Sequence, residues 1–575
     1  MKIKRRVTEQ SSSALSTLPP LLKRIYTARG ILNTTEVDYS LKTLLPYHTL
    51  KDIEKASKRL MKALQQQERI LVIGDFDADG ATSTALAVSA LKTFGALHID
   101  FLVPNRFQFG YGLTKEIVAL AHTTKQPELI ITVDNGISSI EGVQAANEAG
   151  IDVIITDHHL PAEQLPQAHA IVNPNQPHDL FPSKSIAGVG VIFYVMLSLR
   201  RMLVEADYFT SLKLPEPNMS QFLDLVALGT VADVVALDQN NRILVYQGLQ
   251  RMRQGLCRPG IRALIEIANR DITLLRESDL GFAVAPRLNA AGRLDDMAQG
   301  IYCLLSDTDT TAHQLAKTLD TLNEERRHIE SEMKLQALEA IEALSLHGDK
   351  LPTALCMYEK SWHQGVIGIL AGRLKEQYQR PVIAFAKVSA SELKGSARSI
   401  MGLNIRDLLA TIDKTHPKLI QKFGGHAMAA GLSLHPDDFK AFQDAFISEA
   451  TAILAHAEPP GEILSDGILE ANELTVTTAQ LLQNAGPWGQ AFPEPLFDDI
   501  FEVIEQRIVG TNHLKLTLMH PTGTVPVDAI AFNIDPQEWP NHRASKVHVA
   551  YKLDINTFRG RTRVQLMINA LTGVS

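Results

Sequence analysis

The sequence predicts an α/β protein built from several bodies: a doubly wound parallel-sheet domain, a long connecting helix, a second, smaller α/β domain and a C-terminal all-β barrel. Three observations predict it. Short β-branched runs alternate with helix-period stretches between residues 68 and 172, which implies parallel strands with helical crossovers. A charged helical run without Gly or Pro occupies 309–345. Five alternating β runs follow the Pro-rich break Ala457–Gly461. The 575 residues leave room for three or four domains at roughly 100–200 residues each.

Taken in order, residues 1–67 are a helical lead-in rich in Leu and Lys toward its end. The first α/β domain spans 68–305, with strands at Arg69–Phe76, His98–Val103, Leu129–Val133, Ile151–Thr156 and Ala170–Val172. Ala81–Thr93, Thr114–His122 and Ser138–Ala149 between them carry apolar residues three and four apart, and 187–205 and 220–236 read as further helices. Residues 306–350 form the connecting helix, a spacer arm between two bodies. The second domain, 351–458, has strands near Thr353–Tyr358, Val382–Ala386 and Leu393–Ser396, with helices near Gly365–Tyr378 and Asp437–Leu454. In 462–575 the β runs Phe501–Val509, Leu514–His520, Val525–Phe532, Lys546–Asn556 and Arg561–Ala570 suit a small barrel of the oligonucleotide-binding type. An SH3-like barrel or a small sandwich fits the same pattern.

Composition excludes several classes. With 45% hydrophobic and 21% charged residues, the chain is not disordered, collagenous or a coiled-coil rod. Apolar stretches at 187–199 and 222–237 are broken by Gly or Asp before the ~18–20 residues a membrane span needs. Basic Met1–Arg6 runs into a Ser-rich segment instead of an apolar one, so no secretory signal is expected and the cytoplasm is the expected location. Cys257, Cys303 and Cys356 lack C-x-x-C spacing, which disfavours disulfides and thiolate zinc sites. The net charge of −8 means that attraction to a polyanion must come from local cations or bound metal.

The chemistry concentrates at the carboxyl ends of the predicted strands, where open α/β sheets bind ligands. The first strand ends in Asp75-Phe-Asp77-Ala-Asp79-Gly80, three carboxylates on one side of an extended segment running into a loop. Their repulsion calls for a multivalent cation, and hard oxygens suit Mg²⁺ or Mn²⁺. A solvated acidic turn or a cap on the helix at Ala81 is the alternative. A calcium EF-hand fails, because position 12 counted from Asp75 is Leu86. The next strands end in Asp134-Asn-Gly136 and in Asp157-His158-His159. Asp233 stands inside apolar Leu225–Leu237, where an unpaired charge is costly.

These motifs, Asp77/Asp79, Asp134, Asp157-His158-His159 and Asp233, resemble in order and spacing the four motifs of the DHH phosphoesterase superfamily. The resemblance implies a site for two Mn²⁺ or Mg²⁺ ions, with Asp134 as the bridging carboxylate. Asp77, Asp79, His158 and Asp233 would be the other metal ligands, and His159 would face the substrate phosphate. Asp75 and Asp157 join them in the expected catalytic set. Two ions ~3.5–4 Å apart can activate water and stabilise both attacking and leaving oxygens of an in-line displacement.

Phe423-Gly424-Gly425-His426 with Ala430-Gly431 resembles the GGH signature of the DHHA1 domain that accompanies DHH domains. Gly424, Gly425 and His426 are therefore candidate substrate contacts, as are Ser396 and Arg398 in Ser396-Ala-Arg398-Ser399. Arg106, Arg287, Asn289 and Arg293 lie in Gly- or Pro-marked loops and are candidate phosphate contacts in the first body. The stretches GDFDADG, PRLNAAGR and WHQGVIGI, with the terminal barrel, resemble the single-stranded-DNA-specific exonucleases of the superfamily. That resemblance implies degradation of single-stranded DNA from its 5′ end to 5′-mononucleotides during repair and recombination, with the strand held in a groove between the two bodies. A monomer working with a single-strand-binding protein and touching no membrane is expected, and also a separate helicase, because the chain lacks the motif for ATP-driven unwinding. Phe532, Trp539, Tyr551 and Phe558 are the barrel aromatics available for base stacking. Two other readings stand beside this one: a DHH phosphodiesterase for short oligonucleotides or cyclic dinucleotides, and a non-catalytic single-strand-binding scaffold. No P-loop is present, and Gly188-Val-Gly190 lacks the third glycine of a dinucleotide fingerprint.

Overall fold

The computed structural model describes residues 2–6, 13–105, 107, 109–346, 351–455, 462–510, 512–532, 534, 539, 544–558 and 560–574. They form two compact units. One comprises 1–289, 297–317 and 462–575, the other 290–296 and 318–461.

The first unit is built on a parallel sheet of five strands, β1 (Ile70–Gly74), β2 (Ile99–Leu102), β3 (Leu129–Val133), β4 (Asp152–Thr156) and β5 (Ala170–Val172), in spatial order β2-β1-β3-β4-β5. Strands β1 and β3 are buried at every position, as expected for a sheet covered on both faces. The helices include α1 (Ile53–Gln66), α2 (Ala78–Thr93), α3 (Lys115–Thr124), α4 (Ile140–Glu148), α5 (Gly188–Glu205) and α6 (Leu223–Ala232). Helix α2 is almost wholly buried, and it packs on both α5 and α6. Because the chain leaves β1 toward β2 on one side and reaches β3 on the other, the strand order reverses between β1 and β3. A crevice opens at such a reversal, beyond the carboxyl ends.

Two helical expectations shift. Helix α2 begins at Ala78, three residues before the expected start, so Asp79 lies in its first turn and not in a loop. The cause is Asp77, whose carboxylate accepts from the backbone N–H groups of Asp79 and Gly80, both at 3.0 Å, and thereby caps the helix. The PRLNAAGR stretch is likewise no loop: a π-turn at Leu280–Val284 runs into a helix, Ala285–Leu294.

Residues 462–575 belong to this same unit. Strands β11 (Phe497–Val509), β12 (His513–Met519), β13 (Val527–Ala531), β14 (Lys546–Phe558) and β15 (Arg561–Val574) close into a barrel in the order β11-β12-β13-β15-β14. Closure of all five strands excludes the open sandwich. The barrel is not an independent body, since Lys2–Arg5 pairs in parallel with Glu462–Ser465, Arg29 holds Asp466 at 2.7 Å and Arg276 holds Asp554 at 2.9 Å.

In the second unit, β6 (Leu355–Tyr358), β7 (Val382–Lys387), β8 (Leu393–Arg398), β9 (Lys422–Gly425) and β10 (Ala429–Leu434) form a mixed sheet in the order β9-β10-β8-β7-β6. The glycine-rich GGH segment is thus one arm of an antiparallel hairpin. The long helix runs Asp309–Leu346, and its residues from 318 onward belong to the second unit. Met333, Ala337 and Ile341 are buried with Trp362, Leu370 and Val382, so this part of the helix is core and not a free spacer arm.

Candidate active site

Each acid of the first-body set reaches the crevice by a local device. Asp75 leaves β1 directly and is 5% exposed. Asp77 caps α2. Asp79, one turn in, accepts from the N–H groups of Gly188 at 2.7 Å and Val189 at 3.0 Å, which open α5. Asp134 follows β3 in the left-handed conformation, φ 62°, unusual for a residue with a side chain. The next residue, Asn135, donates its amide to the carbonyls of Ile73 (3.1 Å) and Val133 (2.9 Å), tying the ends of β1 and β3 together. Asp233 ends α6, and Val234 after it also has positive φ, 59°.

Asp157 does not face the other acids. Its carboxylate accepts from the backbone N–H groups of Ile137 (2.9 Å), His158 (2.7 Å) and His159 (3.1 Å) and lies 2.7 Å from His159 Nδ1. Asn175 and Asn173 donate to the carbonyls of His158 and His159, fixing the loop from behind. His158 Nε2 then lies 3.1 Å from Asp134 Oδ1 and 3.4 Å from Asp233 Oδ2.

The result is a compact donor cluster. Ligand atoms lie within 4.8 Å of one another in three overlapping groups: Asp75, Asp77 and Asp134; Asp79, His158 and Asp233; Asp134, His158 and His159. Small residues make the approach possible. A Cβ on Gly188 would stand 2.7 Å from Asp134 Oδ1, and one on Gly229 would stand 2.7 Å from Asp79 Oδ1.

Electrostatics mark the cluster as incomplete without positive charge. Burial, then the charge of Asp77, pushes the Asp79 carboxyl up to about 7. Burial followed by neighbouring carboxylates holds Asp134 and Asp233 well above the ordinary range. Burial acts in the same direction on Asp157, but the hydrogen bond and charge of His159 outweigh it and keep that carboxyl low. His159 goes the other way: burial opposes its charge, yet Asp157, Asp233 and Asp75 raise it to about 9.

The residues fit a pair of hard divalent ions. The donors are carboxylates and imidazole, Asp134 Oδ1 is buried without a hydrogen-bond partner of good geometry among the described residues, and the three cysteines are buried outside the cluster. Asp75 adds a ligand-competent carboxylate to the five residues expected as metal ligands.

The phosphate candidates divide between the two units. Asn289 Oδ1 accepts from Ala78 N at 2.8 Å, which brings it to the start of α2 beside Asp77. The Arg287 guanidinium donates to the Ala283 carbonyl one turn back. Arg106 lies outside the described residues. Arg293 belongs to the second unit, where it donates to the Gly365 carbonyl. There Gly424, Gly431 and Ser396 stand in one row across β9, β10 and β8. Arg398, two residues along the same face, donates to Ser396 Oγ at 3.1 Å. Gly368 of the helix Ile367–Tyr378 leaves room there, since its Cβ would meet both Arg398 and Ser396 at 3.0 Å. Gly425 adopts φ 138°, and His426 N donates to the Ala429 carbonyl to close the hairpin.

Sequence reasoning missed Tyr111, whose hydroxyl lies 3.2 Å from His159 Nδ1, and Gly188, whose role is to clear space for Asp134. The glycines on both sides of Tyr111 were the available signal. On the barrel, Tyr551 and Trp539 are buried, whereas Phe532 is 51% exposed; the Phe558 side chain lies outside the described residues.

A doubly wound sheet with aspartates and histidines gathered at its switch point defines a phosphoesterase of the DHH class, and residues 69–230 match the model of the DHH family, N-terminal domain. Residues 351–452 match the DHHA1 domain and 465–570 the RecJ OB domain. The single-stranded-DNA-specific exonuclease RecJ of Escherichia coli (strain K12) is 53% identical over 570 residues, 99% of this chain and 98% of that protein. Its counterpart in Dickeya dadantii (strain 3937) is 53% identical over 571 residues, covering 99% of each. The crystal structure of RecJ in complex with Mn²⁺ from Thermus thermophilus superposes with a TM-score of 0.80 at 28% identity, covering 100% of this chain and 79% of that one. The chain belongs to the RecJ family of single-stranded-DNA-specific exonucleases.

Proposed function

We propose that this chain is a metal-dependent exonuclease that hydrolyses single-stranded DNA from the 5′ end to 5′-mononucleotides. One observation carries the reading: acids and histidines from four separate points of the sequence meet at the switch point as overlapping donor clusters. Asp75, Asp77, Asp79, Asp134, His158 and Asp233 would hold two Mn²⁺ or Mg²⁺ ions. When bound, the ions supply Lewis-acid charge for activating water and neutralising the phosphoryl oxygens.

The chain's own residues do the positioning. Asp157 orients His159 through Nδ1, leaving Nε2 to donate to a phosphate oxygen. The paired Ser396 and Arg398, beside the open surface of Gly424 and Gly431, form a second anion site suited to a terminal 5′ phosphate. Arg398 is half-buried, and burial lowers its pKa, so an anion there would recover the charge stabilisation that water no longer gives. This site is the physical basis for 5′ polarity. Asn289, Arg287, Arg293 and His426 are the further contacts proposed for the strand. Service in repair beside a helicase and a single-strand-binding protein, as a cytoplasmic monomer, completes the reading. Among the described residues, no helix is long and apolar enough to cross a membrane.

Purified protein with Mn²⁺, given 5′- or 3′-labelled single strands, blunt duplex and diadenylate, tests the proposal. Early release of labelled mononucleotide from the 5′-labelled single strand is expected. Release from the 3′ end first, or hydrolysis of diadenylate alone, refutes it.

A further inference from the structure

Tyr111 occupies a place in the site that its position in the sequence does not announce. Its hydroxyl lies 3.2 Å from His159 Nδ1, 3.4 Å from His159 Nε2 and 3.3 Å from the backbone carbonyl of Asp134, to which it donates. The ring meets the imidazole edge-on at 5.7 Å and Phe76, between Asp75 and Asp77, edge-on at 6.1 Å. The residue as a whole is 48% exposed, and burial of its hydroxyl followed by the charges of Asp157, Asp75, Asp134 and Asp77 holds that group well above the usual phenol range. Its backbone is specified on both sides: Gly110 and Gly112 have φ of 78° and 79°, a conformation that costs other residues. Beyond them the Leu113 N–H donates to Ser139 Oγ at 3.1 Å, and a Cβ on Gly112 would press to 3.0 Å of the same oxygen. Tyr111 is thus held at the cluster by its own segment.

The short hydrogen bond from Nδ1 to Asp157 anchors the His159 ring at one atom, and a ring held at one atom can still swing about its Cβ. A second contact, the Tyr111 hydroxyl lying nearly equidistant from both ring nitrogens, restricts that freedom. We infer that Tyr111 is a positioning residue: its hydroxyl, anchored by donation to the Asp134 carbonyl, packs against the His159 ring and keeps Nε2 aimed at the substrate phosphate. The inference rests on the reading of His159 as the phosphate-facing group. In this arrangement Tyr111 acts through His159.

A double-mutant cycle with a 5′-labelled single strand and Mn²⁺ tests it, using Tyr111→Phe, His159→Asn and the pair. Loss of an outer-sphere partner typically costs ~10–100-fold. Tyr111→Phe is therefore expected to lower kcat by about that factor, with KM within about threefold and melting temperature and calorimetric Mn²⁺ affinity unchanged. Added to His159→Asn, it is expected to cost nothing further, because the group it positions is gone. An unchanged kcat in Tyr111→Phe, or a full additional loss in the double variant, overturns the inference while leaving the role of His159 standing. A wild-type rate in His159→Asn overturns the reading of His159 itself and the inference with it. A fall in Mn²⁺ affinity or in melting temperature that accounts for the lost rate makes Tyr111 structural, and also overturns it.

Discussion

Asp134 concentrates the physics of the site in one residue. It is 2% exposed, sits at φ 62°, and faces carboxylates on two sides. Strain and buried like charge of this kind persist where function requires them. Asp134→Asn should cost more activity than the ~10–100-fold of an outer-sphere change. In metal-free protein the same variant should be more stable than the parent by on the order of 1–2 kcal/mol, since it removes repulsion. Chemical denaturation in EDTA and in Mn²⁺ checks this, the difference shrinking when the ion is present. The pH dependence follows with a definite sign. The raised carboxyl of Asp79 keeps its proton in the folded chain up to about pH 7, whereas the unfolded chain loses it near pH 4. The folded state therefore binds more protons in that window, and metal-free stability should fall as pH rises from about 4 to about 7. Melting curves in EDTA measure it, and Asp79→Asn should flatten them.

At the scale of elements, two joints set the site's geometry. Helix α5 presents its first N–H groups to Asp79 and its first glycine to Asp134, so one helix start orders two carboxylates. Gly188→Ala would place a methyl 2.7 Å from Asp134 Oδ1, and a shift to relieve it is expected to cost ~1–3 kcal/mol of stability together with Mn²⁺ affinity. Calorimetric titration and denaturation separate the two effects. The joint after α6 is strained differently. Val234 is β-branched, 64% exposed and at φ 59°, so little packing offsets its conformation. Val234→Gly should raise stability by about 0.5–1 kcal/mol while lowering activity, as Asp233 loses its rigid mount. Alternation of β runs and helices made these elements visible in the sequence. The start of α2 was less so, because Asp77 completes that helix with its side chain, whereas the start of α5 was legible to within one residue.

For the molecule as a whole, the barrel and the N-terminal segment are one folding problem. Arg5 pairs with Asp498, Tyr26 donates to the Ala485 carbonyl, and Arg29 pairs with Asp466. Ending the chain at residue 461 would strip these partners from buried groups, so the shortened protein should melt well below the full chain and aggregate. Point changes are the better probe of the barrel. Its order β11-β12-β13-β15-β14 puts β12 and β13 on the face where such barrels bind oligonucleotides. His513 and exposed Phe532 meet there edge-on at 5.1 Å, with Arg507 opposite Lys515. Phe532→Ala should weaken binding of long single strands by ~1–3 kcal/mol, and Lys515→Gln should reduce the salt slope by about 0.7. Fluorescence titration at several salt concentrations reads both, and hydrolysis of very short strands should be spared.

By itself the sequence determined which chemistry this protein carries and roughly where each element lies. Strand and helix periods are local, and acids that follow a strand of an α/β pattern fall at the ligand-binding rim whatever the strand order. Only the tertiary structure decided that the order reverses between β1 and β3, that the Asp157 carboxylate pairs with His159, that Tyr111 meets His159 and the Asp134 carbonyl, and that the GGH segment is a hairpin. The strand order and the Tyr111 contacts join residues distant in the chain, while the Asp157–His159 pair and the hairpin are local but set by backbone hydrogen bonds that no residue pattern encodes.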